Sequence, residues 1–141
     1  MYLATKHSSQ IIIFSLKEVM NFQTSIKTCF KKFSDFNGRA SRSEFWYFYL
    51  FGIIVYFVGM LISVQAPFFF GVLIIFGFVV FVPALAVTAR RLHDTGRSGW
   101  WQLTAYIPYI GIIASIILIV VWCTKGERKK NKYGKPIKLK R

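Results

Sequence analysis

Five ionisable side chains lie within eight positions of this chain, between long segments that carry no charge. They are Arg90, Arg91, His93, Asp94 and Arg97, in the stretch "TARRLHDTGRSGWW" that covers residues 88–101. A carboxylate beside an imidazole could orient it for acid–base chemistry. Arginines could instead hold phosphate groups through paired N–H donors. These eight positions could therefore support either acid–base chemistry or phosphate binding. The sequence around the stretch distinguishes the two.

The context argues against acid–base chemistry at His93 and Asp94. Side chains adjacent in sequence point away from each other on a helix, and Ser98 is better placed to begin the next helix than to act as a nucleophile. The chain's two cysteines, Cys29 and Cys123, are far apart and form no cluster with its two histidines, as a metal site would need. We therefore expect no enzyme activity, no catalytic or metal-binding residues and no cofactor.

The segments on both sides of the polar stretch have the composition of membrane helices. Residues 45–88 and 100–124 contain no Asp, Glu, Lys or Arg, although the chain has 19 basic and five acidic residues. A helix needs about 20 apolar residues to cross a bilayer core about 30 Å thick. A soluble helix would keep a polar face, and barrel strands would alternate polar and apolar positions. The sequence therefore predicts an all-α membrane protein.

The first charge-free block predicts two transmembrane helical segments joined by a tight turn. The break at "SVQAPFFF" divides it into spans at about 45–64 and 67–88. Pro67 fits the first turn of a helix, where its nitrogen would have no intrahelical partner. Ser41 followed by Glu44 fits a capping box, so the first helix should begin one turn before the membrane. A salt bridge to a basic residue is the other role open to Glu44.

The second block, at about 100–124, predicts a third apolar helical segment that is kinked or re-entrant, because it contains Pro108 and Gly111. Trp100 and Trp101 at its start fit the aromatic belt of a membrane protein. A complete crossing would divide the basic residues almost evenly between the two sides, so the positive-inside rule decides little. We expect a cytoplasmic N-terminus and leave the side of the C-terminal tail open.

The membrane domain, which we place at residues 20–124, begins with a basic segment. From Met20, apolar side chains recur on one helix face while lysines lie off it. This predicts a basic amphipathic interfacial helix before the first span; the alternative is a helix packed on the protein's own core. Residues 1–19 form an N-terminal extension, which is not translated if Met20 is the start, and residues 125–141 form a basic, flexible tail.

Four stretches of this chain resemble the bacterial domain-of-unknown-function 805 family. They are "FNGRASRSEFWYFYLF", "PALAVTARRLHDTGRSGWWQL", "IPYIGII" and "NKYG". The resemblance covers about residues 20–134 and implies a small inner-membrane protein with a few spans. It implies no catalytic residues.

These observations predict a multi-pass protein of the bacterial inner (plasma) membrane with a non-enzymatic role. We expect it to interact with anionic phospholipids or with other proteins, and a homo-oligomer is possible. The alternative is a small oligomeric transporter or channel subunit, although charged groups at membrane depth are lacking. We expect no specific nucleic-acid partner, because no recognition motif or aromatic-interleaved basic platform accompanies the net charge of +14.

The polar stretch is then expected to have a structural role with lipid contacts. Charges beside a low-dielectric core are costly unless they are paired. Arg91, His93 and Asp94 should therefore fold the stretch onto the end of the first span. Arg90 and Arg97 would be left for lipid phosphates. The complete set of candidate residues is Arg42, Glu44, Arg90, Arg91, His93, Asp94, Arg97, Trp100 and Trp101.

Overall fold

The computed structural model describes residues 21–137. The predicted extension at 1–19 and the last four residues of the tail lie outside the described residues. The predicted all-α class is confirmed for the described range, which has helices and no strand. The elements are α1 (Phe22–Lys31), α2 (Arg42–Gln65), α3 (Phe68–Asp94), a 3₁₀ helix (Gly99–Tyr106) and α4 (Gly111–Cys123).

Helices α2 and α3 form a hairpin, and each is long and apolar enough to cross a membrane. Their 24 and 27 residues correspond to about 36 and 40 Å at 1.5 Å per residue. Most of their apolar side chains are not buried by the protein: Phe57, Val64, Phe68 and Phe78 are 65%, 77%, 80% and 76% exposed. The core helix of a soluble protein would bury such a surface, because its exposure to water is unfavourable. In a bilayer the same surface faces hydrocarbon, and this cost disappears.

Helix α3 continues through the polar residues that follow the predicted second span. The stretch 90–94 forms its last turns, and the helix ends only at the following Thr-Gly pair. Gly96 has a φ of 76° and donates its N–H to the carbonyl of His93, while Arg97 donates to that of Leu92, both at 3.0 Å. This is a Schellman cap. The helix therefore continues six residues past residue 88, where the apolar stretch and the predicted second span end.

The third apolar segment is a helical hairpin rather than one continuous helix. The 3₁₀ helix and α4 are joined by a turn at residues 107–110, in which Tyr109 has a φ of 66°. The 13 residues of α4 span about 20 Å, less than the roughly 30 Å of a bilayer core. The 3₁₀ helix begins directly after α3 ends, and Arg91 near that end of α3 donates to the carbonyl of Trp122 at 3.1 Å. Both ends of the hairpin therefore lie at the same end of the molecule.

Helix α1 packs its apolar face against the protein. The ring of Phe30 meets those of Phe48 and Phe51 edge to face, with centroids 5.7 and 6.4 Å apart, and Cys29 is fully buried. This is the arrangement that the alternative interpretation described, a helix that covers the protein's own core. Through Cys29, α1 also contributes to a buried apolar cluster close to the charged end of the helices. The members of this cluster are Cys29, Ala40, Phe45, Phe48 and Val87.

A second buried cluster joins α3 to the hairpin. It consists of Leu92, Leu118 and Val121, with Trp122 packed against both clusters. Apolar burial at this end is what holds the charged last turns of α3 in a fixed position.

Candidate functional site

A buried carboxylate lies at the centre of the charged end. Asp94 is 5% exposed, and Nε of Arg39 donates to its Oδ1 at 2.8 Å. Nη1 of Arg91, one turn earlier on α3, donates to its Oδ2. The sequence grouped Arg91 with Asp94 but missed Arg39, whose only signal is its place directly after the Asn-Gly turn of "FNGRAS".

Arg91 also closes the end of helix α4. Besides Asp94, its guanidinium donates to the carbonyls of Trp122 and Thr124 and, at 3.4 Å, to that of Ala40. The last carbonyls of a helix lack intrahelical donors and carry partial negative charge, so a fully buried arginine fits there. Arg91 therefore links α3, α4 and the segment before α2.

Arg90 is not available to lipid phosphates, which corrects the expectation from the sequence. Its side chain is fully buried, and Nη2 lies 3.2 Å from Oε1 of Glu44, which is also buried. The two charges face each other without a well-aligned hydrogen bond, so we describe them as an ion pair. Ser41 caps α2 by accepting the N–H of Glu44 at 3.0 Å, while the carboxylate of Glu44 takes the alternative role of salt-bridge partner.

His93 and Asp94 point to different partners, as neighbours on a helix do. Nδ1 of His93 lies 3.1 Å from the carbonyl oxygen of Gly38. The imidazole stacks on the ring of Tyr133, with centroids 3.7 Å apart and planes 5° apart. The two side chains therefore do not form an acid–base dyad in this structure.

The first part of the tail is not a free segment, which corrects a second expectation. The N–H of Glu127 donates to the carbonyl of Asp94 at 2.9 Å. Arg39 donates to the carbonyls of Glu127 and Lys129, and Nδ2 of Asn131 donates to that of His93 at 3.0 Å. The physical reason is that some donors of Arg39 and some carbonyl groups at the end of α3 find no hydrogen-bond partner in each other. The tail supplies the missing partners.

The other candidate residues lie outside this buried network. Arg42 is exposed, and its Nη1 reaches only the carbonyl of Cys123, at 3.4 Å. Arg97 is half-buried and has no acidic partner within residues 21–137. Trp100 and Trp101 are 77% and 47% exposed. In the same described range, His, Cys, Asp and Glu form no cluster of three or more that could hold a metal ion.

Residues 33–135 match the family model described as "Protein of unknown function (DUF805)". The chain belongs to the DUF805 family. The resemblance seen in the sequence is thereby confirmed. The matched range includes Asp94, His93 and Glu44 together with the groups that these three side chains contact. The motifs that carry the resemblance are also the segments that meet in space: "FNGRAS", "ARRLHD" and "NKYG" supply most of the network.

Several named proteins are similar to this DUF805 chain. Inner membrane protein YhaH of Escherichia coli K12 is 44% identical over 114 residues, which are 77% of this chain and 92% of the relative. Inner membrane protein YhaI of the same strain is 36% identical over 108 residues, 74% of this chain and 86% of the relative. Uncharacterized protein YiiR of that strain is 29% identical over 132 residues, 71% and 84%. No solved structure is a significant match.

Proposed function

We propose that this DUF805 protein is a multi-pass inner-membrane protein whose charged end faces the cytoplasm and binds anionic phospholipids, without enzymatic activity. Helices α2 and α3 cross the bilayer, and the hairpin formed by the 3₁₀ helix and α4 enters and leaves on the cytoplasmic side. Helix α1 lies at headgroup level, with its exposed lysines toward the lipid. The names of YhaH and YhaI as inner membrane proteins support this location.

One observation carries the proposal: the tail is docked on the end of α3. The hydrogen bond from Glu127 to Asp94 and the stacking of Tyr133 on His93 hold the tail at the same end of the molecule as the segment before α2, which supports a tail on the same side of the membrane. The described range contains 14 basic and four acidic residues, and all lie outside the apolar stretches of α2, α3 and the hairpin. Positive charge marks the cytoplasmic side of bacterial membrane proteins, so the proposed orientation follows.

The lipid preference follows from the charges that remain after internal pairing. Arg39, Arg90 and Arg91 are buried and paired with Asp94 and Glu44. Most of the other basic side chains are exposed at the same end, including those of α1 and the tail. Each Lys or Arg near an anionic surface contributes about 1 kcal/mol to its attraction. An anionic leaflet is therefore the partner that this end favours most.

The orientation is tested with reporter fusions. An alkaline phosphatase or green fluorescent protein reporter after Arg141 should report the cytoplasm, whereas the same reporters inserted between Ala66 and Pro67 should report the periplasm. A C-terminal reporter on the periplasmic side would show that the third segment crosses, and would contradict the proposal.

The lipid preference is tested with vesicles that contain phosphatidylglycerol and phosphatidylethanolamine. Purified protein reconstituted with phosphatidylglycerol and phosphatidylethanolamine should retain phosphatidylglycerol during detergent exchange, and less of it as salt increases, because exposed charges are screened. Equal retention of both lipids at low salt would contradict anionic-lipid binding while leaving the topology intact.

A further inference from the structure

We propose that a cavity between the start of α2 and the first turn of the tail binds a phosphate-type oxyanion, held by Arg42, Lys125 and Arg128. The inference rests on the proposed function, because it assigns one defined site within a surface that otherwise attracts anions diffusely. Such an oxyanion occurs both as the phosphate group of a lipid headgroup and as free inorganic phosphate.

The cavity is large enough to admit a small oxyanion. Its volume is about 140 Å³, roughly ten times the 10–15 Å³ that one water molecule needs. Asp94, with Arg39 and Arg91 bound to it, forms the inner wall. The tail at residues 125–128 and the exposed Arg42 form the sides. The space is open on its outer side, so that a headgroup could enter it.

The lining is strongly positive even after its internal pairs are counted. Five basic residues and two acidic ones line the cavity. Asp94 is shared by two arginines, so the buried inner wall keeps one positive charge in excess. The other acid, Glu127, already accepts a hydrogen bond from Nδ2 of Asn131 at 2.8 Å. A cationic ligand would meet repulsion here, and a neutral one would leave the surplus uncompensated.

The free donors are the three side chains at the rim. The guanidinium groups of Arg39 and Arg91 are occupied by Asp94 and by carbonyl oxygens. Arg42, Lys125 and Arg128 are exposed, and within residues 21–137 none of them has an acidic partner. Two arginines and a lysine around one small space offer the forked and single donors that suit phosphate oxygens.

Gly126 keeps the lysine and arginine of the tail in place beside this space. A Cβ atom at Gly126 would overlap the carboxylate of Asp94, so only glycine lets the backbone lie directly against the buried pair. The neighbouring Glu127 N–H then bonds to the Asp94 carbonyl at 2.9 Å. The backbone that carries Lys125 and Arg128 is therefore fixed to the core of the protein.

The experiment measures binding to the full-length protein purified in a maltoside detergent. Isothermal titration calorimetry at constant ionic strength would use two probes, sodium phosphate and dihexanoyl-phosphatidylglycerol, with dihexanoyl-phosphatidylcholine as the zwitterionic comparison. Saturable binding of either anionic probe supports the site. Binding of phosphate alone identifies a free anion as its ligand, and binding of phosphatidylglycerol alone identifies a lipid headgroup.

The variants Lys125→Gln, Arg128→Gln and, independently, Arg42→Gln should each weaken this binding roughly tenfold, the usual effect of losing one charge-assisted hydrogen bond. The matched control is Lys130→Gln, which removes the same charge from the tail but not from the cavity lining and should leave the affinity unchanged. All four side chains are exposed, and an unchanged unfolding temperature without ligand verifies that each variant is folded.

Two results would overturn the site: no saturable binding of either anionic probe, or an equal loss of affinity in Lys130→Gln and in the cavity variants. Neither result would refute the proposed function by itself. Diffuse, salt-dependent retention of phosphatidylglycerol would persist in the cavity variants if the basic end acts as a whole.

Discussion

Arg39 donates from Nε to Oδ1 of Asp94 at 2.8 Å across 55 positions of sequence, and both side chains are almost completely buried. The other carboxylate oxygen accepts from Arg91. One acid therefore holds together the segment before α2 and the end of α3, and through Arg91 also the end of α4.

Asp94→Ala is expected to lower the free energy of unfolding by about 3–5 kcal/mol, because it leaves two buried guanidinium groups without their counterion. Unfolding of the detergent-purified protein, followed by circular dichroism against temperature or urea, measures the change. Asp35→Asn is the matched control, since Asp35 only accepts the N–H of Asn37 in a turn, which asparagine can also do. An Asp94→Ala protein as stable as the control would show that the carboxylate is dispensable.

Glu44 and Arg90 are expected to behave as a coupled pair. Each single change, Glu44→Leu or Arg90→Met, leaves one buried charge uncompensated and should cost about 3–5 kcal/mol, whereas the double variant should recover most of that loss. A double-mutant cycle on unfolding free energies measures the coupling. Strictly additive losses would mean that the 3.2 Å approach of the two side chains has no energetic effect.

Gly111→Ala is expected to destabilise the hairpin, because a Cβ atom there would overlap the carbonyl oxygen of Ala105. Overpacking of this kind costs about 1–3 kcal/mol. At Gly71 in α3 an added Cβ atom would meet no other atom within 4 Å, so Gly71→Ala should be neutral or stabilise the protein by up to about 1 kcal/mol. Unfolding temperatures of the two variants should therefore move in opposite directions or differ clearly; equal shifts would argue against the close approach.

Cys29 is expected to resist thiol reagents until the protein unfolds. Burial, and next the charge of Glu44, raise the pKa of the Cys29 thiol to about 12, so the reactive thiolate is almost absent at neutral pH. Cys123 is exposed and serves as the internal comparison. Mass spectrometry after maleimide treatment should find one label on the folded protein and two in denaturant; rapid labelling of Cys29 in the folded state would show that α1 detaches.

Tyr133→Ala is expected to release the tail, whereas Tyr133→Phe should keep it docked, because the stacking on His93 needs the ring and not the hydroxyl. Aromatic pairs contribute about 0.5–1.5 kcal/mol beyond their buried area, so cleavage by trypsin after the lysines of the tail should become roughly threefold faster or more in Tyr133→Ala. Equal cleavage rates in Tyr133→Phe, Tyr133→Ala and the unchanged protein would contradict the docking.

The apolar helices were predictable because charge is absent from them over long stretches, and this is a local property of the sequence. The end of α3 was not: the run from Arg90 to Asp94 looks like a loop until its buried partners are known. Partners such as Arg39 lie far away in sequence, so pairing logic indicated that Asp94 needs a basic partner but could not choose among the available arginines. Arg90 was misassigned for the same reason, since Glu44 had an equally good local role in the helix cap.

The third segment shows a different limit of sequence reasoning. Its 25 uncharged residues satisfy the length of one crossing, and only the positions of its two ends distinguish a crossing from a hairpin. The second of these ends is fixed by Arg91, whose bond to the carbonyl of Trp122 depends on tertiary structure and leaves no mark in hydropathy.

The hairpin has a consequence for biogenesis in the proposed topology. Placing Lys or Arg at the centre of a bilayer costs about 2.5–3.5 kcal/mol per residue even by the lowest scales. Because both ends of the third segment lie beside the end of α3, no charged side chain of residues 21–137 has to be translocated. Of the described residues, only those of the uncharged turn between α2 and α3 reach the far side in this topology. Insertion of the described chain then requires only that two apolar hairpins enter the bilayer from the cytoplasmic side. Every lysine and arginine of this range stays on the side on which the chain is synthesised.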